Sequence, residues 1–295
     1  MTFWEKIKAF FSKKDDSENS TNDSASNGSA KCSGKECKHS LHIGINDYPG
    51  TRNDLNGCVN DATGWEDLLK EQYGFKTKVL LNAEATHKNV VNEMKRVLKA
   101  AREGGHVVIT YSGHGTNVKD NNNDEEDGRD EALCLYDKLL IDDDIRSLFD
   151  SLSEGVSLTF ISDSCHSGTV TRTFLETLYD DEVYCKARYL PPEDDEEVFD
   201  VAPSAVSKKL FMPQDDMNEV LVTGCTSTQY SYDARISGKY QGAMSANAIA
   251  ILKENPKLTY NEFYKLLRER LPSRNYPQTP QLEGNSSNLN KQMFS

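Results

Sequence analysis

The stretch that most constrains this chain is Phe160-Ile-Ser-Asp-Ser-Cys-His-Ser-Gly168, where an apolar run from Val156 to Ile161 breaks into small polar residues. A short run of this kind reads as a buried strand whose carboxyl end opens into a loop. In an open α/β sheet, ligands bind just outside that end. A second run, His106-Val-Val-Ile-Thr-Tyr-Ser-Gly-His-Gly115, repeats the pattern and delivers His114 between Gly113 and Gly115. Two strand ends therefore offer a thiol, Cys165, and an imidazole, His114.

The rest of the chain supplies a sheet to carry them. Leu41 to Ile45, Lys76 to Leu81 and Glu219 to Thr223 read as further strands. Helical spacing of apolar residues runs through 58–73, 90–101, 142–152, 243–253 and 260–271. Thr86 suits the cap of the second helix, and three aspartates from Asp142 suit the N-terminal dipole of the third. Strand and helix alternate, which predicts an α/β fold with a mostly parallel central sheet covered by helices on both faces.

The flanks differ in character. Residues 1–14 place Phe3, Trp4, Ile7, Phe10 and Phe11 at helical spacing among lysines, so residues 3–11 are expected to form an amphipathic helix that docks on an anionic membrane surface or on a partner. Residues 15–39 read as a disordered linker rich in Ser, Asn and Asp. Within it, Cys32 and Cys37 read as solvated thiols rather than as metal ligands with His39 and His42. A catalytic domain is expected over 40–285. It divides into 40–171, an acidic insertion over 172–217 with Pro191, Pro192 and the run Glu193 to Glu197, and 218–285. Residues 286–295, and the chain from Pro272 onward, read as loop-like tail.

Charge and cysteine usage narrow the class. A net charge of −13 opposes nucleic acid as the main partner and suits an acidic site for cationic ligands. Seven scattered cysteines are too sparse for a disulfide framework, so a reducing, cytoplasmic setting is expected, peripheral to a membrane if the first helix binds one. The chain is expected to act as a monomer.

The thiol and imidazole have a defined chemistry. A thiolate is the nucleophile, and a neighbouring histidine raises the thiolate fraction and later protonates the leaving amine. The glycines around His114 let the backbone turn sharply, and the N–H groups of Gly115 and Cys165 are natural donors to the oxyanion of acyl transfer. His166 is the rival base.

Taken together, Leu55-Asn-Gly-Cys-Val-Asn-Asp-Ala62, Tyr111-Ser-Gly-His-Gly115, Asp127-Gly-Arg-Asp-Glu131, Asp163-Ser-Cys-His-Ser-Gly168, Val222-Thr-Gly-Cys225 and Pro277-Gln-Thr-Pro-Gln-Leu282 resemble the metacaspases, a branch of the caspase-like cysteine peptidases. Caspases place their histidine about 50 residues before the cysteine, as here, although their Gln-Ala-Cys signature is absent. The resemblance implies a caspase-like three-layer sandwich. It also implies an endopeptidase that cuts protein and peptide substrates after Arg or Lys through a thioester. By the same resemblance Asp61, Ser112 and Asp163 line the pocket for the basic side chain, and carboxylates suit a guanidinium well.

The chemistry requires no cofactor, but the resemblance implies calcium as an activator at Asp130, Asp142 and Asp143 with an aspartate soon after the nucleophile. That last position is Arg172 here, and an arginine repels a cation. Self-cleavage is expected where basic residues meet flexible chain: at Lys31, Lys35 and Lys38 before the first strand, or at Lys186, Arg188, Lys208 and Lys209 around the insertion. The rival readings are a catalytically idle scaffold and a processing peptidase of the same clan with non-basic specificity.

Overall fold

A computed structural model describes residues 37–119, 129–165, 185–191 and 217–295. In chain order its elements are β1 (Lys38–Gly44), α1 (Cys58–Tyr73), β2 (Lys76–Leu81), α2 (His87–Ala100), β3 (His106–Ser112), β4 (Gly115–Lys119), β5 (Arg129–Cys134), β6 (Leu139–Ile141) and α3 (Asp142–Phe149). They continue with β7 (Ser157–Asp163), β8 (Cys185–Ala187), β9 (Glu219–Thr223), β10 (Tyr232–Ile236), β11 (Lys239–Gly242), α4 (Ala243–Glu254), α5 (Tyr260–Arg270), β12 (Gln281–Glu283) and α6 (Ser286–Leu289).

The central sheet has the order β12-β9-β7-β3-β1-β2, parallel throughout except for the antiparallel edge strand β12. Alternation along each strand sends side chains to opposite faces. Val107, Ile109 and Phe160 join the core beneath α2 and α3, with Val90, Met94, Ile145 and Phe149. Val108, Ile161, Val220 and Val222 join the other core, with Trp65 and Leu68 of α1 and with residues of α4 and α5. Burying each of these large side chains stabilises the fold by about 1.5–3 kcal/mol. The expected α/β layering is present: helices, sheet, helices.

Local signals act where sequence places them. Thr86 accepts a hydrogen bond from the Asn89 N–H at the start of α2. Thr259 and Glu262 close a capping box at α5, and Gly74 ends α1 in the left-handed conformation.

Four expectations need correction. The strand taken to open at Leu41 opens at Lys38, inside the stretch read as linker through residue 39. Cys37 is not a solvated thiol; it is buried and disulfide-bonded. His42 bonds Thr110 and Ser40 through its two ring nitrogens, so both are committed within the protein. Lys38, offered above for self-cleavage, lies in an interior strand and donates its Nζ to the Phe294 carbonyl at 2.6 Å. The tail is not loop-like either: Met293 and Phe294 are fully buried, and the Phe294 ring packs on Tyr73, Phe75, His106 and Tyr260. Two apolar residues in a polar segment carry no periodicity, so only the packing reveals their role. Periodicity also misses the small antiparallel sheets β4-β5-β6 and β8-β10-β11.

Residues 1–36 lie outside the described residues, as do 120–128, 166–184 and 192–216. The amphipathic N-terminal helix, Lys31, Lys35, His166, Arg172, Lys208 and Lys209 fall there. Among the described residues no helix is long and apolar enough to cross a membrane.

Candidate active site

Neighbouring parallel strands lead to His114 and Cys165. β3 and β7 pair with Ser112 opposite Asp163, so His114 and Cys165 both follow directly from one edge of the sheet. The His114 loop is bolted down by hydroxyls. Its N–H donates to the Tyr48 hydroxyl at 2.8 Å, and its carbonyl accepts from the Tyr111 hydroxyl at 2.6 Å and from the Cys134 N–H at 2.9 Å. Gly113 is required because a Cβ there would overlap the Tyr111 and Tyr48 hydroxyls.

The imidazole is oriented by a backbone carbonyl. His114 Nε2 lies 2.7 Å from the Asn53 carbonyl. A carbonyl only accepts, so Nε2 carries the proton and Nδ1 keeps its lone pair. Nδ1 is buried and makes no hydrogen bond. Burial depresses the His114 pKa to about 3, with the Asn53 carbonyl opposing and the Arg188 and Lys186 charges adding to the shift. The ring is therefore neutral, the form a general base requires. Cys165 is fully buried, and its sulfur accepts from the Ser231 N–H at 2.6 Å and faces the Ser231 carbonyl at 3.4 Å.

What buries the cysteine is the chain's own segment 185–190. β8 pairs antiparallel with β10, Ala187 opposite Tyr232 and Lys186 opposite Asp233. The Arg188 N–H then donates to the Ser231 carbonyl at 3.0 Å. The Arg188 carbonyl oxygen accepts from the N–H of Gly115 at 3.0 Å and from the N–H of Cys165 at 3.1 Å. The structure thus brings Gly115 and Cys165, the two expected oxyanion donors, onto one carbonyl oxygen.

The Arg188 side chain enters a box of carboxylates with none of its surface exposed. Nη2 lies 2.7 Å from Asp61 and 3.5 Å from Asp233, and Nη1 lies 3.4 Å from the Asp163 carboxylate and 3.1 Å from its carbonyl. Nε makes no hydrogen bond, so the fork is gripped at its two tips. The carboxylates are themselves held. Asp61 accepts from the Gly242 N–H at 3.0 Å, and Asp163 accepts from the Ser245 N–H at 2.9 Å and from the Ser231 hydroxyl. Both backbone donors belong to the N-terminal end of α4, where the helix dipole favours negative charge. Gly242 is required at the wall, since a Cβ there would meet Asp163 and Arg188. Ser112 stands beside Asp163 in register, buried, without a hydrogen bond to the guanidinium.

A family model described as the metacaspase, peptidase C14 domain matches residues 38–173. Metacaspase-1 of Botryotinia fuckeliana is 32% identical, over 86% of this chain and 68% of the relative. Metacaspase-1 of Ajellomyces capsulatus is 30% identical, over 86% of this chain and 80% of the relative. The chain belongs to the metacaspase family.

Metacaspases of this group are cysteine-type endopeptidases, and the chain is one by membership. Among solved structures, a protein of Geobacter sulfurreducens superposes with a TM-score of 0.66 at 28% identity, covering 88% of this chain and 98% of that one. Caspase-1 of Spodoptera frugiperda superposes at 0.57 with 10% identity, covering 88% and 89%, which is a likeness of fold alone.

The residues expected to hold calcium do not form a cage by themselves. Asp130 and Asp142 are buried and Asp143 is exposed. No group of three or more metal-ligating side chains is gathered among the described residues. No step of the chemistry below passes through an ion.

Sequence reasoning missed Asp233, the Asn53 carbonyl and the role of Ser231. Asp233 lies in a five-residue strand with no motif to mark it. The Asn53 contribution and the Ser231 contacts with Cys165 come from backbone groups, which leave no trace in residue type, and the Ser231 hydroxyl meets Asp163 from 68 positions away.

Proposed function

We propose that this metacaspase hydrolyses peptide bonds after arginine or lysine through a Cys165–His114 dyad, and that its first substrate is its own Arg188–Tyr189 bond. The single observation that carries the reading is Arg188, with its guanidinium among three carboxylates and its carbonyl oxygen between two N–H donors beside Cys165. A peptidase needs that arrangement around the residue preceding a scissile bond.

The steps balance as follows. His114 Nδ1 accepts the Cys165 thiol proton, and the sulfur attacks the carbonyl carbon. Charge on the oxygen is held by the Gly115 and Cys165 N–H groups. The C–N bond breaks as His114 returns its proton to the leaving amine, that of Tyr189 in the self-substrate. Water, deprotonated by His114, then cleaves the thioester, releasing the carboxylate and restoring the thiol. Arginine is favoured over lysine, because separate carboxylates take the two tips of the fork and an ammonium offers one point of charge.

Among the described basic residues near the cleft, Arg188 alone combines both features. Lys186, two residues upstream, donates its Nζ to the Asp54 carbonyl at 2.7 Å. Intact-mass and N-terminal analysis of incubated wild type is expected to reveal a new terminus at Tyr189, absent from Cys165→Ala and from Arg188→Gln. A cut that persists in both variants, or no cut in wild type, contradicts the self-substrate. A fluorogenic panel comparing Arg, Lys, Asp and Asn before the scissile bond then separates this reading from a non-basic peptidase and from an idle scaffold.

The pocket also sets a pH dependence. Burial raises the Asp61 pKa to about 7, against the pull of the Arg188 guanidinium and the Gly242 N–H. A carboxyl raised this far is neutral below about 7 and anionic above it, so the guanidinium-binding form appears as pH rises. That value belongs to the pocket with a guanidinium in place, so for an arginyl substrate kcat is expected to climb with pH through about 7, and Asp61→Asn should lose that limb. A wild-type kcat that is flat between about pH 6 and 8 removes Asp61 from this role.

A further inference from the structure

Two strands of the sheet end side by side, and each is followed at equal distance by a cysteine. β7 closes at Asp163 with Cys165 two residues on, and β9 closes at Thr223 with Cys225 two residues on. The strands are parallel neighbours with Ser162 opposite Thr223, and the Gly224 N–H extends the ladder to the Ser162 carbonyl at 2.9 Å. Adjacent strands lie about 4.8 Å apart, while a disulfide spans Cα atoms about 4.4–6.8 Å apart. The register sets Cys225 level with Ser164, one residue short of Cys165, and the diagonal of one lateral and one axial step, roughly 6 Å, falls within reach of a bridge.

The Cys225 thiol lies close to the loop that carries Cys165. Cys225 Sγ lies 3.8 Å from the carbonyl of Ser164, the residue before the nucleophile, and 3.2 Å from that of Gln229. Both thiols belong to one buried cluster. Peptide hydrolysis as described uses Cys165 and leaves Cys225 without a part.

We propose that Cys225 is a resolving cysteine for Cys165: a peroxide oxidises the nucleophile, and Cys225 then closes a Cys165–Cys225 disulfide that silences the peptidase reversibly. In the first step the Cys165 thiolate attacks one peroxide oxygen, the O–O bond breaks, and Cys165 sulfenic acid and hydroxide form. In the second, the Cys225 sulfur attacks the sulfenic sulfur, the S–S bond forms and the S–O bond breaks. The departing hydroxide takes the Cys225 proton and leaves as water. Overall two thiols lose two electrons and the peroxide becomes two waters; a dithiol reductant reverses the bridge.

The order of events follows from the surroundings. The neighbouring Cys165 thiol, with burial, raises the Cys225 pKa well above that of an ordinary thiol. Cys225 thus stays protonated and reacts second. Segment 185–190 covers Cys165, so the pair is exposed to peroxide once that segment leaves the cleft. The consequence for activity rests on Cys165 being the nucleophile; the bridge itself does not.

The test treats full-length wild type with hydrogen peroxide and maps its peptides without reduction, beside Arg188→Gln, in which the covering segment loses its grip on the carboxylates. A linkage between the peptides holding Cys165 and Cys225 is expected in Arg188→Gln and in any self-cleaved wild type. Activity on an arginyl substrate should fall in step with it and return with dithiothreitol. Cys225→Ser is expected to keep the basal activity, to lose it to peroxide with sulfinic acid at Cys165, and to recover none with dithiothreitol. Absence of the linkage from both proteins, a bridge from Cys165 to Cys185 instead, or full recovery of Cys225→Ser overturns the proposal. A linkage found in a chain that cleaves no substrate would leave the bridge standing and sink the peptidase reading alone.

Discussion

Cys165→Ala and His114→Ala are each expected to lower hydrolysis of an arginyl substrate by on the order of 10⁴-fold or more, with combined loss no greater than either alone. The reason is that the two act as a unit. His114 is neutral and holds a free Nδ1, because burial disfavours its charge and the Asn53 carbonyl claims Nε2. Without the sulfur nothing is acylated; without the imidazole neither the thiol proton nor the leaving amine is served. Neither change should unfold the protein, since each truncates one side chain beyond a strand end and leaves the two large cores on either side of the sheet intact. Activity assays with thermal melts of both variants decide the matter. A His114→Ala enzyme that retains substantial turnover, while His166→Ala loses it, would move the base to His166.

Asp163→Asn is expected to cost about 3–4 kcal/mol of transition-state binding for arginyl substrates, on the order of 10²- to 10³-fold in kcat/KM. The amide keeps the shape of the carboxylate and can still accept from the Ser245 N–H. The loss therefore reports charge rather than folding. The remaining carboxylates do not compensate fully, because they meet the other end of the fork: Asp61 and Asp233 face Nη2, while Asp163 faces Nη1. Lysyl substrates should lose less, as one ammonium can settle against Asp61. Unchanged kinetics on an arginyl substrate would remove Asp163 from the pocket.

Much of this site was legible because its principal parts lie at strand ends. Apolar runs at 106–111 and 156–161 identify neighbouring strands through composition, and the small polar residues that follow identify loops. Asp163, at the end of β7, comes with Cys165 from one such run. Asp61 was legible only through the motif around it, since an acid in the first turn of α1 is equally well explained by the helix dipole. The tail from Pro272 was misread because Met293 and Phe294 are anchored by side chains from distant elements, not by their own segment.

By itself the sequence determined the alternation of strands and helices, the two strand ends that carry His114 and Cys165, and the acid-rich motifs suited to a basic side chain. These follow from local periodicity and from residue chemistry, which act over a few positions. Only the tertiary structure decided that Arg188 meets Asp61 and Asp233 in space, that the Asn53 carbonyl orients His114, that α4 turns its N-terminus toward the carboxylates, and that Cys225 stands beside Cys165. Each of these joins residues tens to more than a hundred positions apart. Their meeting depends on strand order and register, which are set by burying two hydrophobic faces at once and which no short window of sequence contains.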